Sequence, residues 1–253
     1  MLFTCDGQGL LIDAGVGIRT LMPALSRRGI TEGQLCGVLL THEHSDHLKA
    51  APSVCNRLKA PLLANRATLN AASKRLELSH EMELLTGSEA KLGPFLVRSF
   101  AISHDAAEPC GYIVQAAGYK ITYATDTGCA SRELRAALQG SALCIIESNH
   151  DLAWLSKGPY PPFMKVRIAS DLGHLSNEDA VNMMVERLEE GGPTCFWLAH
   201  LSVVNNSVSL ARRFALAGIT SSTRVPFHLD IALRDRPSIE WAPGKNAIQL
   251  NLL

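Results

Sequence analysis

Thr41-His42-Glu43-His44-Ser45-Asp46-His47 is the stretch that decides the fold, and it follows directly on the apolar run Cys36 to Leu40, which reads as a buried strand. Four side chains able to ligate a metal, His42, His44, Asp46 and His47, are therefore delivered at a strand end. Imidazole nitrogen and carboxylate oxygen suit zinc, manganese and iron, and no thiolate stands in the cluster. If the segment stays extended, His42, His44 and Asp46 share one face by the two-residue period, and a turn at Asp46-His47 brings His47 beside them. One ion does not easily take four ligands from so short a stretch, so the spacing suggests two neighbouring metal sites. The competing reading is a His-rich surface turn, which suits a lone histidine better than this spacing.

Outward from the cluster, strands and helices alternate. Leu10 to Asp13 is a short apolar run ending in Asp-Ala-Gly, followed by a helical pattern from about Ile18 to Arg28 that Gly29 stops. A helix is expected from about Leu48 to Leu58. The junction of strand and polar loop recurs at Phe95 to Ile102 before His104, Lys120 to Ala124 before Asp126, and Cys195 to Ala199 before His200. Helical patterns lie between them near Ala130 to Leu138, Glu178 to Glu189 and Ser207 to Leu216. Reactive residue types collected at strand ends describe a layered α/β architecture with a site on the loops of one sheet edge. Ser176 with Asp179 fits a capping box, so a helix should start there, and its free N–H groups beside His174 make a seat for phosphate. No repeat or linker marks a boundary, and a single domain over 1–253 is expected.

Composition narrows the partners. With 24 Lys+Arg against 24 Asp+Glu, no bulk field demands nucleic acid or membrane, although bound dications would add positive charge that residue counting misses. No apolar run approaches the roughly 18 to 20 residues that span a bilayer, so no membrane partner is expected. The opening Met1 to Asp6 lacks a basic region followed by an apolar one, which reads as no signal peptide. Seven scattered cysteines, never spaced C-x-x-C, suit small buried hydrophobes in a reducing cytoplasm.

The pattern H-x-H-x-D-H after a buried strand resembles the signature of the metallo-β-lactamase superfamily, whose fold is a four-layer αββα sandwich. The resemblance implies two divalent ions per chain, manganese or zinc, and three further ligands. His104 would join His42 and His44 at one ion, His200 would join Asp46 and His47 at the other, and Asp126 would bridge them. Two such ions activate water for hydrolysis. Asp46 would then both ligate and orient the nucleophile, and His174 would donate a proton to the leaving oxygen or hold the scissile phosphate.

The later motifs are more specific. Ile146-Glu147-Ser148-Asn149-His150-Asp151, Gly158-Pro159-Tyr160-Pro161, Lys165 to Ser170 and Gly173-His174-Leu175-Ser176-Asn177 form one block. His104-Asp105-Ala106 is followed by Pro109, Gly111 and Tyr112, and Ala199-His200-Leu201-Ser202 by Asn205-Asn206. Across nearly the whole chain this set is similar to that of the YycJ (WalJ) family, cytoplasmic bacterial 5′-to-3′ exonucleases of double-stranded DNA, which implies DNA, at duplex ends, as the partner. Family members usually open with a strand and a Ser/Gly-rich turn ahead of the segment that here begins at Leu2, so that first strand and turn are expected to be lacking. Candidate substrate contacts are Ser176, Asn177, Asn149, Asn205, and Lys165 with Arg167, which share a strand face if extended. Against these stand blander roles: Lys165 and Arg167 as solvated surface, Asn205 and Asn206 as caps of the helix near Ser207, and Glu147, Asn149 and His150 as partners either of ligand histidines or of buried backbone. A small-molecule phosphodiesterase and a catalytically idle, metal-stapled protein are the rival functions.

Overall fold

A computed structural model describes residues 1–78, 80–191, 194–243 and, as backbone, 245–249. The chain divides into two compact units, Met1–Ala101 with Ala106–Gly118, and Ile102–Asp105 with Tyr119–Leu253.

The first unit runs β1 (Leu2–Cys5), β2 (Gln8–Ile12), α1 (Ile18–Arg27), β3 (Leu35–Leu39), α2 (Ser45–Leu48), α3 (Ala51–Leu58), β4 (Leu62–Ala64), α4 (Arg66–Ser73), β5 (Glu81–Glu83), β6 (Glu89–Leu92), β7 (Phe95–Ala101) and β8 (Cys110–Ala116). The first five strands make one sheet in chain order, with β1 antiparallel to β2 and the others parallel. Strands β6, β7 and β8 form an antiparallel meander. Leu11, Val38, Leu40, Val54, Leu62 and Leu69 bury a common core.

Two expectations around the His-rich stretch need correction. The helix expected from Leu48 to Leu58 is two helices, because Pro52 has no N–H to donate and so opens a new helix at α3. The extended segment also ends sooner than expected. His44 is extended, but the amides of His47 and Leu48 both bond the His44 carbonyl, so Asp46 and His47 lie in the turn of α2. Only His42 and His44 keep the two-residue alternation.

That turn is clamped by the loop after β2. The Ala14 amide bonds the His47 carbonyl at 2.7 Å, and the Ala50 amide bonds the Ala14 carbonyl at 2.8 Å. Gly15 lies so close that an added Cβ would sit 1.3 Å from the Asp46 carbonyl oxygen.

The second unit contains β9 (Tyr119–Ala124), α5 (Arg132–Leu138), β10 (Leu143–Glu147), α6 (Leu152–Lys157), α7 (Pro162–Ile168), α8 (Asn177–Glu189), β11 (Thr194–Ala199), α9 (Val208–Ser222), β12 (Phe227–Ile231), and the antiparallel pair β13 (Ile239–Ala242) and β14 (Lys245–Gln249). Strands β9 to β12 are parallel, with β10 between β9 and β11. Every residue of β10 is buried, as expected of a central parallel strand covered on both faces. The register sets Ile146 beside Ala124 and Glu147 beside Ala199, so Asp126, Glu147 and His200 emerge at one level of the carboxyl edge.

Helix α8 starts with the expected capping box of Ser176 and Asp179. Helix α9 is capped by Ser207, whose Oγ accepts from the Leu210 amide; Asn206 instead accepts from the Ser207 amide. Lys165 and Arg167 stand in helix α7, not in a strand, since Pro161-Pro162 presets a helical first turn. Two residues apart on a helix, they are separated by about 200° around its axis and share no face. Among the described residues no helix is long and apolar enough to cross a membrane.

Gly15→Ala should force the two loops apart and lower stability by about 1–3 kcal/mol, a cost typical of overpacking. Gly17→Ala, where an added Cβ meets nothing within 4 Å, is the control. Thermal denaturation of the two variants should show a lowered Tm for the first alone.

Candidate metal centre

In the first unit the histidines are aimed by a carboxylate outside the His-rich stretch. Asp13 closes β2 in the left-handed backbone region, at φ 55°, and is buried. Its Oδ1 accepts from the Thr41 amide at 2.9 Å, and its Oδ2 from the Thr41 hydroxyl at 2.9 Å and from His47 Nδ1 at 2.8 Å. A carboxylate can only accept, so His47 carries its proton on Nδ1. Thr41 spends its own proton on Asp13, which leaves its oxygen, 2.9 Å from His42 Nδ1, to accept a second ring proton. Both rings are thereby fixed with Nε2 as the acceptor nitrogen. The His42 ring packs 4.5 Å from His44 and 4.2 Å from His47, centroid to centroid, and Asp46 Oδ2 lies 4.0 Å from His47 Nε2. Burial pushes the Asp13 carboxyl up, but His47, His42 and the Thr41 amide together hold it below the usual carboxylate range. Glu43, alternating with the histidines, turns to the Ala107 amide at 3.0 Å.

Glu147 plays the same part in the second unit, on a larger scale. Its Oε1 lies 2.9 Å from His174 Nδ1 and 2.7 Å from His200 Nδ1, while its Oε2 accepts from the amides of Thr127 at 2.9 Å and Leu175 at 3.3 Å. Fully buried, it would titrate high by desolvation alone; His174 and His200 bring it down to about 2. His174 is correspondingly raised, because Glu147 outweighs the effect of burial. His104 is tied by Nδ1 to the Gly173 carbonyl at 3.0 Å, and burial lowers it, favouring the neutral ring.

Asp126, buried and left-handed at φ 58°, places its Oδ1 3.4 Å from His200 Nε2 and 3.7 Å from His104 Nε2. One donor atom from each of Asp126, Glu147, His174 and His200 lies within 4.8 Å of the others. Glu147 is a poor choice of ligand within that group, since four N–H donors already occupy it. With the protons of His104 and His200 on Nδ1, acceptor nitrogens face a carboxylate oxygen in a buried place. A divalent cation between them resolves that repulsion, and this donor set fits one.

The remaining candidates are scattered. His174 is partly exposed beside Asp126, with Nδ1 3.8 Å from its Oδ1. Ser176 and Asn177 are buried, Ser176 in its cap and Asn177 accepting from Ser148 and Asn206. Asn149 donates to the His200 carbonyl at 2.9 Å, bracing another left-handed residue, at φ 56°. Asn205 is fully buried. Lys165 donates to the Ser156 carbonyl and Arg167 to Asp105. Sequence reading passed over Asp13, whose signal was the Asp-Ala-Gly closing an apolar strand.

The family model of the beta-lactamase superfamily domain matches residues 9–218. The chain belongs to this superfamily. It is 35% identical to exodeoxyribonuclease YycJ of Bacillus anthracis over 82% of this chain and 79% of that protein. It is 33% identical to exodeoxyribonuclease WalJ of Streptococcus pneumoniae serotype 2, strain D39, over 80% and 77% respectively. The crystal structure of the metallo-β-lactamase fold protein YhfI from Bacillus subtilis matches it with a TM-score of 0.68 at 17% identity, covering 92% of this chain and 88% of that one. The metallo-β-lactamase fold expected from the H-x-H-x-D-H pattern is thus the fold found, and the chain is a hydrolase of that superfamily whose His/Asp clusters are compatible with divalent metal.

Glu147→Gln keeps the shape but offers only one accepting oxygen to four N–H donors. Metal affinity, measured by competition with a chromogenic chelator, should fall about 10- to 100-fold, as expected when a partner that orients ligands is lost.

Proposed function

We propose that this hydrolase is a two-metal phosphodiesterase that degrades double-stranded DNA from its ends, in the 5′-to-3′ direction, in the cytoplasm. The observation that carries the reading is the pair of exodeoxyribonuclease relatives aligned along some four fifths of the chain. His42, His44 and His104 would hold one divalent ion, Asp46, His47 and His200 the other, and Asp126 would bridge them; nitrogen and oxygen donors without thiolate suit zinc or manganese. Bound there, the ions would supply a water activated near neutral pH and positive charge for the phosphate oxygens.

The chain's own residues then have separate tasks. Asp46 orients the attacking water. His174, with Nδ1 held by Glu147, keeps a proton on Nε2 and passes it to the leaving oxygen of the scissile bond. Glu147 favours the charged form of His174 and keeps the ring from turning. Zero net charge favours a second reading, hydrolysis of a small phosphodiester by the same machinery.

His174→Ala should leave metal content unchanged by elemental analysis and slow hydrolysis by roughly 10² to 10⁴, the loss expected with a general acid. An unchanged rate would remove His174 from the reaction. Trimming of an end-labelled duplex at low salt, set against turnover of bis(p-nitrophenyl) phosphate, separates the two substrate classes. Turnover of the ester with an untouched duplex would defeat the DNA reading, and a chelator should abolish both activities.

A further inference from the structure

Between Glu147 and His174 the chain leaves the cluster, forms α6 and α7, and returns. The α7 end of this excursion is tied to the site. The His174 amide bonds the Ile168 carbonyl at 2.9 Å, and Arg167 Nε bonds Asp105, the neighbour of His104, at 2.8 Å. Lys165 Nζ reaches across to the Ser156 carbonyl at 2.7 Å and fastens α7 to the end of α6.

The surface of this excursion is unlike the charge-balanced whole. From Leu152 to Ser170 it holds Lys157, Lys165 and Arg167, no Asp or Glu, and three aromatic residues, Trp154, Tyr160 and Phe163. Trp154 is 46% exposed, Phe163 71% and Val166 70%, the last two one turn apart on α7. Large apolar side chains are seldom left this open in one short segment without a partner. An open groove of about 440 Å³ runs between Trp154, Lys157, Gly158 and Val204. Exposed rings interleaved with cations match the requirements of a single nucleic-acid strand, π-faces for bases and positive charge for the backbone, while the acids at its margins are Asp151, which caps α6, and Asp105, which pairs with Arg167.

We propose that the α6–α7 excursion is the platform on which the strand end of the DNA is seated before hydrolysis. Trp154 and Phe163 stack on bases, and Lys157 faces a phosphate. This deepens the nuclease reading and rests on it. No base edge needs to be read, so binding here is tolerant of sequence.

The test uses metal-loaded protein and a fluorescein-labelled, phosphorothioate oligonucleotide that resists cleavage, with binding followed by anisotropy at low salt. Trp154→Ala and Phe163→Ala should each weaken binding about 5- to 150-fold, the range for one lost base–aromatic stack. Trp154→Phe should restore most of it, and bis(p-nitrophenyl) phosphate turnover should persist in every variant. Both positions are exposed, so thermal melts should match the parent. A Trp154→Ala/Phe163→Ala double variant that binds as tightly as the parent overturns the proposal. So does light scattering in which the double variant loses a dimer while its DNA affinity is unchanged, since the face would then join two copies of the chain. If the parent binds the oligonucleotide and the double variant does not, yet ordinary DNA is never cut, the platform stands and the nuclease reading falls. If the parent cuts DNA and the double variant cuts it with the same KM, the nuclease reading stands and the platform falls.

Discussion

A hydrogen bond at Nδ1 governs the histidine cluster of each unit. His42 is held by Thr41, His47 by Asp13, His104 by the Gly173 carbonyl, and His174 and His200 by Glu147. Each partner accepts, so Nδ1 of every ring carries a proton and each ring is held in one orientation. An imidazole otherwise rotates about two bonds and exchanges its proton between two nitrogens. Bonds from N–H to a charged carboxylate contribute about 1.5–3 kcal/mol each, enough to exclude the wrong tautomer most of the time. The two carboxylates also share their work. Asp13 serves Thr41 and His47, and Glu147 serves two rings and two amides, so removing either acid disturbs several donors together.

The backbone is strained to make these contacts. Asp13, Asp126 and His200 all take left-handed conformations that side chains with a Cβ rarely adopt. Each lies within two residues of a strand end, where the chain must turn sharply to swing a side chain over the sheet edge. Outliers of this kind cost on the order of 1–3 kcal/mol and persist only where surrounding structure over-determines them. Here the determinants are visible. The Asp13 carboxylate is saturated with donors, Asn149 braces the His200 carbonyl, and the fully buried β10 carries Glu147 into place. The stability of the sheets thus sustains the geometry of their edge.

Much of this was legible in the sequence because metal ligation leaves a compact signature. Four candidate ligands after a buried strand, then His104, Asp126 and His200 after later strands, pointed to the fold and to the remaining candidates. The capping box at Ser176 was equally readable, since its chemistry is local. What escaped reading depends on distant partners or on competition between local preferences. Asp13 looked like a strand end until the fold brought it against Thr41 and His47. Glu147 stood open between two roles until β9, β10 and β11 aligned in register. Lys165 and Arg167 suggested a strand by alternation, but Pro161-Pro162 started a helix. Asp46 joined the helical turn of α2, so period-two reasoning stopped at His44.

These hydrogen bonds leave Nε2 as the ring nitrogen that would meet a cation. Long-range ¹H–¹⁵N correlation spectra of histidine-labelled protein, recorded before and after zinc is added, measure this directly. His42, His47, His104 and His200 should be Nδ1-protonated throughout, with the Nε2 resonances alone shifted by the metal. Rings protonated at Nε2 with zinc on Nδ1, or spectra that do not respond to zinc, would contradict it.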